Sequence, residues 1–203
     1  MTLIATKALA ETLNVSEPNR DTKNNTWFSF IQGKEPGRLQ IVLNRKANVT
    51  PFGLATYNER QTLTIALGQE NDQDMRDFFN VLDRKVREHM WSYRSQVFRN
   101  PPGTLEALAA LQKPCIRPGR DGLQDTLQLK VDAHSSFYAL PGRAAIEPSS
   151  VEKGCQIVCI AAPARVWCMS TGEFGVSLKV IHALVGKRPK EDPGKLFEDC
   201  SFG

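Results

Sequence analysis

The stretch 164–185, ARVWCMSTGEFGVSLKVIHALV, constrains the fold more than any other part of the chain. Residues 165–169 read as one strand and residues 174–185 as a second. Between them lies Ser170-Thr171-Gly172-Glu173, a turn whose glycine takes φ > 0 without steric cost. Along the second segment Phe174, Val176, Leu178, Val180 and Leu184 fall on one face, interrupted by His182. Gly175, Ser177, Lys179, Ile181, Ala183 and Val185 fall on the other. A period of two kept up over this length predicts a long, half-buried antiparallel strand, and the Val, Ile, Ser and Gly content argues against a helix. The second face is mixed. Lys179 stands there among small residues, with Arg165 and Trp167 on the partner strand, which makes it the face on which to look for a site.

Upstream, the same reasoning gives more strands. Residues 38–43 (RLQIVL) and 62–67 (TLTIAL) read as short strands, and Asn58-Glu59-Arg60-Gln61 suits a hairpin loop. In residues 127–131 Leu127, Leu129 and Val131 alternate with Gln128 and Lys130, and residues 136–140 are expected to be the hairpin partner. Residues 155–161 form a further strand leading into the 164–185 pair. Over residues 71–93 the period changes: Met75, Phe78, Phe79, Leu82, Val86 and Met90 make one stripe of an amphipathic helix. Asp72 or Asp74 can cap it. Thr104 can cap a second, short helix over 105–111, ended by Pro114. The fold class is therefore mainly β with inserted helices: an antiparallel barrel or sandwich of five to seven strands plus one long and one short helix. Residues 1–33 read as a mobile or extended N-terminal arm, 34–186 as the barrel with a helical insertion at about 71–113, and 187–203 as a Pro- and charge-rich tail.

Functional chemistry is sparse. The 203 residues carry 26 Lys and Arg against 22 Asp and Glu, a net charge of +4 that fits a neutral enzyme almost as well as a binder of polyanions. No Gly-rich loop precedes a Lys-Ser/Thr pair, and no GxGxxG is present. Cys155, Cys159, Cys168 and His182 lack the close-spaced pairs that tetrahedral zinc prefers, so the thiols read as buried core. The odd count of five cysteines points to reduced thiols and an intracellular, non-secreted protein. No window is long and apolar enough to span a membrane. The expectation is a non-enzyme without metal or cofactor.

One pattern is more specific. Val151-Glu152-Lys153-Gly154-Cys155-Gln156-Ile157-Val158, then Arg165-Val166-Trp167, then Gly172-Glu173-Phe174-Gly175-Val176-Ser177-Leu178-Lys179 resemble a run in the single-stranded-DNA-binding proteins of large DNA viruses of eukaryotes, distantly similar to the phage type. Pro51-Phe52-Gly53-Leu54 and the helix around Leu82-Asp83 are similar to that family as well. The chain departs from it at Leu178, where Trp is frequent, and at Glu173, where Lys is common. The resemblance implies an OB-like barrel and sequence-tolerant binding of single-stranded DNA in replication, recombination or repair, in the nucleus or a cytoplasmic viral factory.

Such binding needs a basic groove for the backbone and exposed rings for the bases. The residues expected to serve are Arg165, Trp167 and Lys179 of the strand pair, and Lys130, Phe137, Tyr138 and Arg143 of the preceding hairpin and loop. Arg45, Lys46, Arg117 and Arg120 are loop cations that extend the path. Phe137 and Tyr138 are adjacent, so one of the two rings must turn inward if they lie in a strand. In the tail, Phe197 and Phe202 either dock on replication proteins or complete the sheet as a last strand. Further copies of the chain are the remaining expected partner. The competing reading is a minor virion or scaffolding protein that shares the barrel and binds no nucleic acid.

Overall fold

The computed structural model describes residues 2–33, 39–43, 47–57, 59–68, 72–119 and 123–187. The chain opens with β1 (Thr2–Ile4), α1 (Lys7–Thr12), β2 (Asn14–Val15), β3 (Asn19–Asp21), β4 (Thr26–Ser29), β5 (Ile31–Gln32), β6 (Gln40–Val42) and β7 (Asn48–Val49). It continues with β8 (Leu54–Tyr57), β9 (Arg60–Ala66), α2 (Gln73–Ser92), α3 (Arg94–Val97) and α4 (Leu105–Leu111). Then come β10 (Gln112–Lys113), β11 (Ile116–Arg117), β12 (Thr126–Val131), β13 (Ser136–Ala139), β14 (Ala144–Ile146), a 3-10 turn (Pro148–Ser150), β15 (Gln156–Cys168) and β16 (Phe174–Gly186). Among the described residues the protein is mainly β, with four α-helices. Among the described residues, none of the helices is long and apolar enough to cross a membrane.

The expected count of five to seven strands is too small. Among the described residues fourteen strands join one sheet, whose main path runs β1-β6-β15-β16-β12-β9-β8, and β2 and β5 form a separate pair. The pairing is not purely antiparallel either, because β12 and β13 both run parallel to β16. Residues 136–140 therefore do not form a hairpin with β12; β13 pairs with β14 and β16 instead. The N-terminal arm is likewise part of the body. Its β4 pairs with β15, and its Ala10 and Leu13 lie in the common core. The ends of the main path, β1 and β8, do not pair. Yet β7 pairs with β15 while β8, four residues on, pairs with β9. The corner between them turns at Gly53, whose φ of +67° and close approach to the Val151 carbonyl, 2.6 Å from where a Cβ would sit, admit no side chain.

The two long strands carry the architecture. Their ladder has two irregularities, between Ile160 and Ala161 and between Pro163 and Arg165. At the first, Ile160 pairs with His182 and Ala161 with Val180, so Ile181 is the extra residue. That shifts the phase of β16. Phe174, Leu178 and Val180 are buried before it, Ile181, Ala183 and Val185 after it. His182 breaks the apolar face in the sequence because the strand has bulged by that point. At the second irregularity Ala164 is the extra residue, and Pro163, unable to donate to a ladder, is accommodated beside it. Ile157, Cys159 and Ala161 point inward before it, Val166 and Cys168 after it. Arg165 and Trp167 are thereby aimed at the opposite face.

Helix α2 closes the core on its apolar stripe, with Phe78 and Phe79 fully buried and edge-to-face at 5.1 Å. Each such ring contributes roughly 1.5–3 kcal/mol of burial. Asp72 stands at the N-cap but does not cap: its Oδ2 accepts from the Gly68 N–H at 2.6 Å and the Asn48 amide at 2.8 Å. Asp83, inside the helix, is a buried carboxylate that accepts the Cys115 N–H at 2.9 Å. It also accepts the Cys115 thiol at 3.1 Å. Gln112 donates to the Asp83 carbonyl at 2.8 Å and accepts from Arg87 Nε at 2.8 Å. This network fixes the chain from Gln112 to Arg117 against the helix, which positions one wall of the site.

Candidate nucleic-acid interface

Five strands present one continuous outer face. Thr62 of β9 pairs with Lys130 of β12, and Lys130 pairs in turn with Lys179 of β16. On the far side Arg165 faces Ser177, and Trp167 faces both Gly175 of β16 and Phe28 of β4. Alternation puts Leu127, Leu129 and Val131 inside and leaves Gln128 half-buried and Lys130 exposed on this face. The β3–β4 turn and the β10–β11 segment rise on either side. Between them is a cleft of about 480 Å3.

Among the described residues the cleft is lined by five cations, Arg60, Lys113, Arg117, Lys130 and Arg165, and one carboxylate, Asp21. Three half-buried rings, Trp27, Phe28 and Trp167, line it too. Lys130 senses this company. Loss of hydration, and then repulsion from Arg165 and Arg60, hold its ammonium below the ordinary lysine pKa. Like charges so placed, with few carboxylates among them, are stabilised by an anion. Asp21 is held below the usual carboxylate range, chiefly by the Asn24 amide and also by Arg165.

Trp167 has a specific seat. A Cβ on Gly175 would lie 3.0 Å from Trp167 Cζ2 and 2.8 Å from the Lys113 carbonyl oxygen, so the indole rests on bare backbone there. Phe28 sits beside it in the ladder and packs edge-to-face on Phe30 at 5.4 Å. Arg20 places its guanidinium 6.0 Å from the centre of the Trp27 ring. The cleft thus combines positive charge with flat apolar faces, as a polyanion of aromatic units requires.

No protein-family model matches the chain, and no curated protein matches it. Solved structures do. The single-stranded DNA-binding protein from bacteriophage Enc34 is similar at 11% identity with a TM-score of 0.48, over 89% of this chain and 95% of that one. Its C-terminal truncation gives 12% and 0.47, over 88% and 97%. The same phage protein in complex with ssDNA gives 10% and 0.48, again over 88% and 97%. The likeness is too distant to assign a ligand, and what this cleft can hold follows from its own residues.

The structure brings Arg165, Trp167, Lys130 and Arg117 together on the cleft. The other expected residues among those described do not line it. Lys179 lies next to Lys130, but its ammonium is half-buried and held by Asp132 at 2.5 Å. Phe137 is 2% exposed and belongs to the core, because the alternation of β13 turns it inward. Tyr138 turns outward into a separate recess behind the β13–β14 hairpin, its ring 6.1 Å from that of His182. Arg143 sits at the tip of that hairpin with φ of +57°, outside the cleft lining. Arg45, Lys46, Arg120, Phe197 and Phe202 lie outside the described residues.

Sequence reasoning missed Trp27, Phe28, Arg60 and Lys113. Trp27 and Phe28 fall in the stretch read only as an N-terminal arm, Arg60 in a hairpin loop, and Lys113 in no motif. As for the thiols, Cys159 and Cys168 are nine positions apart on one strand, roughly 30 Å at a strand's rise, and cannot share a ligand. Burial pushes both up to about 12, away from nucleophilic thiolate. Among the described residues no group of three His, Cys, Asp or Glu side chains is placed to hold a metal.

Proposed function

We propose that this protein binds single-stranded DNA without sequence preference and without catalysis, serving replication, recombination or repair. One observation carries the reading: Arg60 and Arg165 both crowd Lys130 in the cleft that also holds the rings of Trp27, Phe28 and Trp167. The cations track phosphates and the half-buried indoles accept stacked bases. The scaffold is an OB-type barrel in this reading. β7 and β8 act as one strand bent at Gly53, pairing with β15 at one end and β9 at the other, so that the path β9-β12-β16-β15 returns on itself. The cleft then lies over its second and third strands, the face such barrels use for oligonucleotides.

The test is a titration with oligo-dT against duplex of equal length at several salt concentrations. The expected result is preference for the single strand, quenched tryptophan fluorescence, and affinity that falls with salt at about 0.7 per neutralised phosphate on a log–log scale. Arg165→Glu, Lys130→Glu and Trp167→Ala each weaken binding. Absent binding, or binding that none of the three changes, overturns the reading.

A further inference from the structure

Two cations of this face already have partners. Lys113, on the cleft wall, pairs through Nζ with Glu173 Oε1 at 2.7 Å. Lys179, beside Lys130 in the ladder, pairs with Asp132 Oδ2 at 2.5 Å. The two carboxylates come from different turns. Glu173 ends the β15–β16 turn, where Met169 donates its N–H to the Glu173 carbonyl at 2.8 Å. Asp132 follows β12, and its Oδ1 accepts from the His134 N–H at 2.9 Å. The first bond ties the backbone of its turn, and the second orients the Asp132 carboxylate itself.

We infer that Glu173 and Asp132 are affinity-setting residues: they occupy Lys113 and Lys179 in the unliganded protein, and a phosphate backbone must displace them to use those cations. The inference rests on the proposed binding of single-stranded DNA in this cleft. Its physical basis is competition. Lys113 and Glu173 are both largely exposed, so the internal pair is weak, and a phosphate that displaces the carboxylate recovers little more than it breaks. Among the described residues, the cleft cations without an ion-pair partner, Arg60, Arg117, Lys130 and Arg165, then dominate binding by the wild-type protein. Lys113 and Lys179 contribute less than their charge suggests. Asp21 acts in the same sense on Arg165 from across the cleft, at longer range.

The experiment measures oligo-dT affinity over a salt series for the full chain and for Glu173→Gln, Asp132→Asn and Glu152→Gln. Glu152 is an exposed carboxylate outside the cleft lining, so its variant controls for net charge. Asn at position 132 keeps an oxygen for the His134 N–H, which guards against a folding defect. Both variants are expected to bind tighter than wild type, Glu173→Gln by roughly 1.5- to 5-fold, the range of an exposed ion pair. Each should also steepen the salt slope by about 0.7, one more phosphate contact. Glu152→Gln should change neither. Variants indistinguishable from Glu152→Gln overturn the inference while leaving the cleft as the site. A wild-type protein and variants that all fail to bind overturn both.

Discussion

Replacing Gly175 by Ala tests the seat of Trp167 directly. The new methyl would lie 2.8 Å from the Lys113 carbonyl oxygen and 3.0 Å from Trp167 Cζ2. The first neighbour is backbone, tied through Gln112 to helix α2, and cannot retreat easily. The second is a ring open to the cleft on its other side, so the indole is the group that moves. Overpacking of this kind costs about 1–3 kcal/mol of stability, read as a lower urea midpoint at unchanged slope. A ring lifted from its seat loses its stacking geometry, worth about 1–3 kcal/mol per base, or roughly 5- to 150-fold in affinity. Oligo-dT titration by fluorescence anisotropy reads the second effect separately from the first. The decisive comparison is the double variant. With Trp167→Ala already present, Gly175→Ala should add little further loss of binding. A Gly175→Ala protein of wild-type stability and affinity would refute the seat. A full additional loss in the Trp167→Ala background would place the effect on strand β10 instead of the ring.

Two further outcomes follow from charges described above. The Lys130 pKa is depressed in the free protein, so a bound phosphate raises it; affinity should be steady at lower pH and decline as pH rises through the depressed value, before the ordinary lysine range. Oligo-dT titrations across alkaline pH should show this decline in wild type and not in Lys130→Arg, whose charge persists. Burial raises the Asp83 pKa above its unfolded value. Its contribution to stability is therefore greatest below the unfolded pKa and is lost as pH rises through the folded one. Urea midpoints should show wild type gaining on Asp83→Asn as pH falls through that window, while Asp83→Leu, which strands the Cys115 N–H, costs about 1–3 kcal/mol at neutral pH.

Local features were legible in the sequence. The stripe from Met75 to Met90 located α2 within two residues at either end, and Thr104 marked the start of α4 by accepting the Ala107 N–H at 3.1 Å. The strand pair was found because hydrophobic alternation is local. What escaped was long-range. Nothing near Trp27 or Phe28 in the chain announces that β4 will lie beside β15, well over a hundred residues away. The parallel pairings to β16 left no trace either, since alternation names a face and not a neighbour. Lys179 illustrates the limit for sites. Its position on the outer face of the strand pair was readable, but the aspartate that occupies it comes from the turn after another strand. Residues 155–161 and 165–169 read as two strands, and the bulge beside Pro163 lets one strand run through both.

That extra residue, Ala164, works as a parity switch. Odd positions look inward before it, at Ile157, Cys159 and Ala161, and outward after it, at Arg165 and Trp167. Removing Ala164 would still leave Arg165 opposite Ser177 and Trp167 opposite Gly175, because the bulge absorbs the surplus residue without turning either wall. A lineage can therefore gain or lose one codon here and keep both the ladder and its outward decoration.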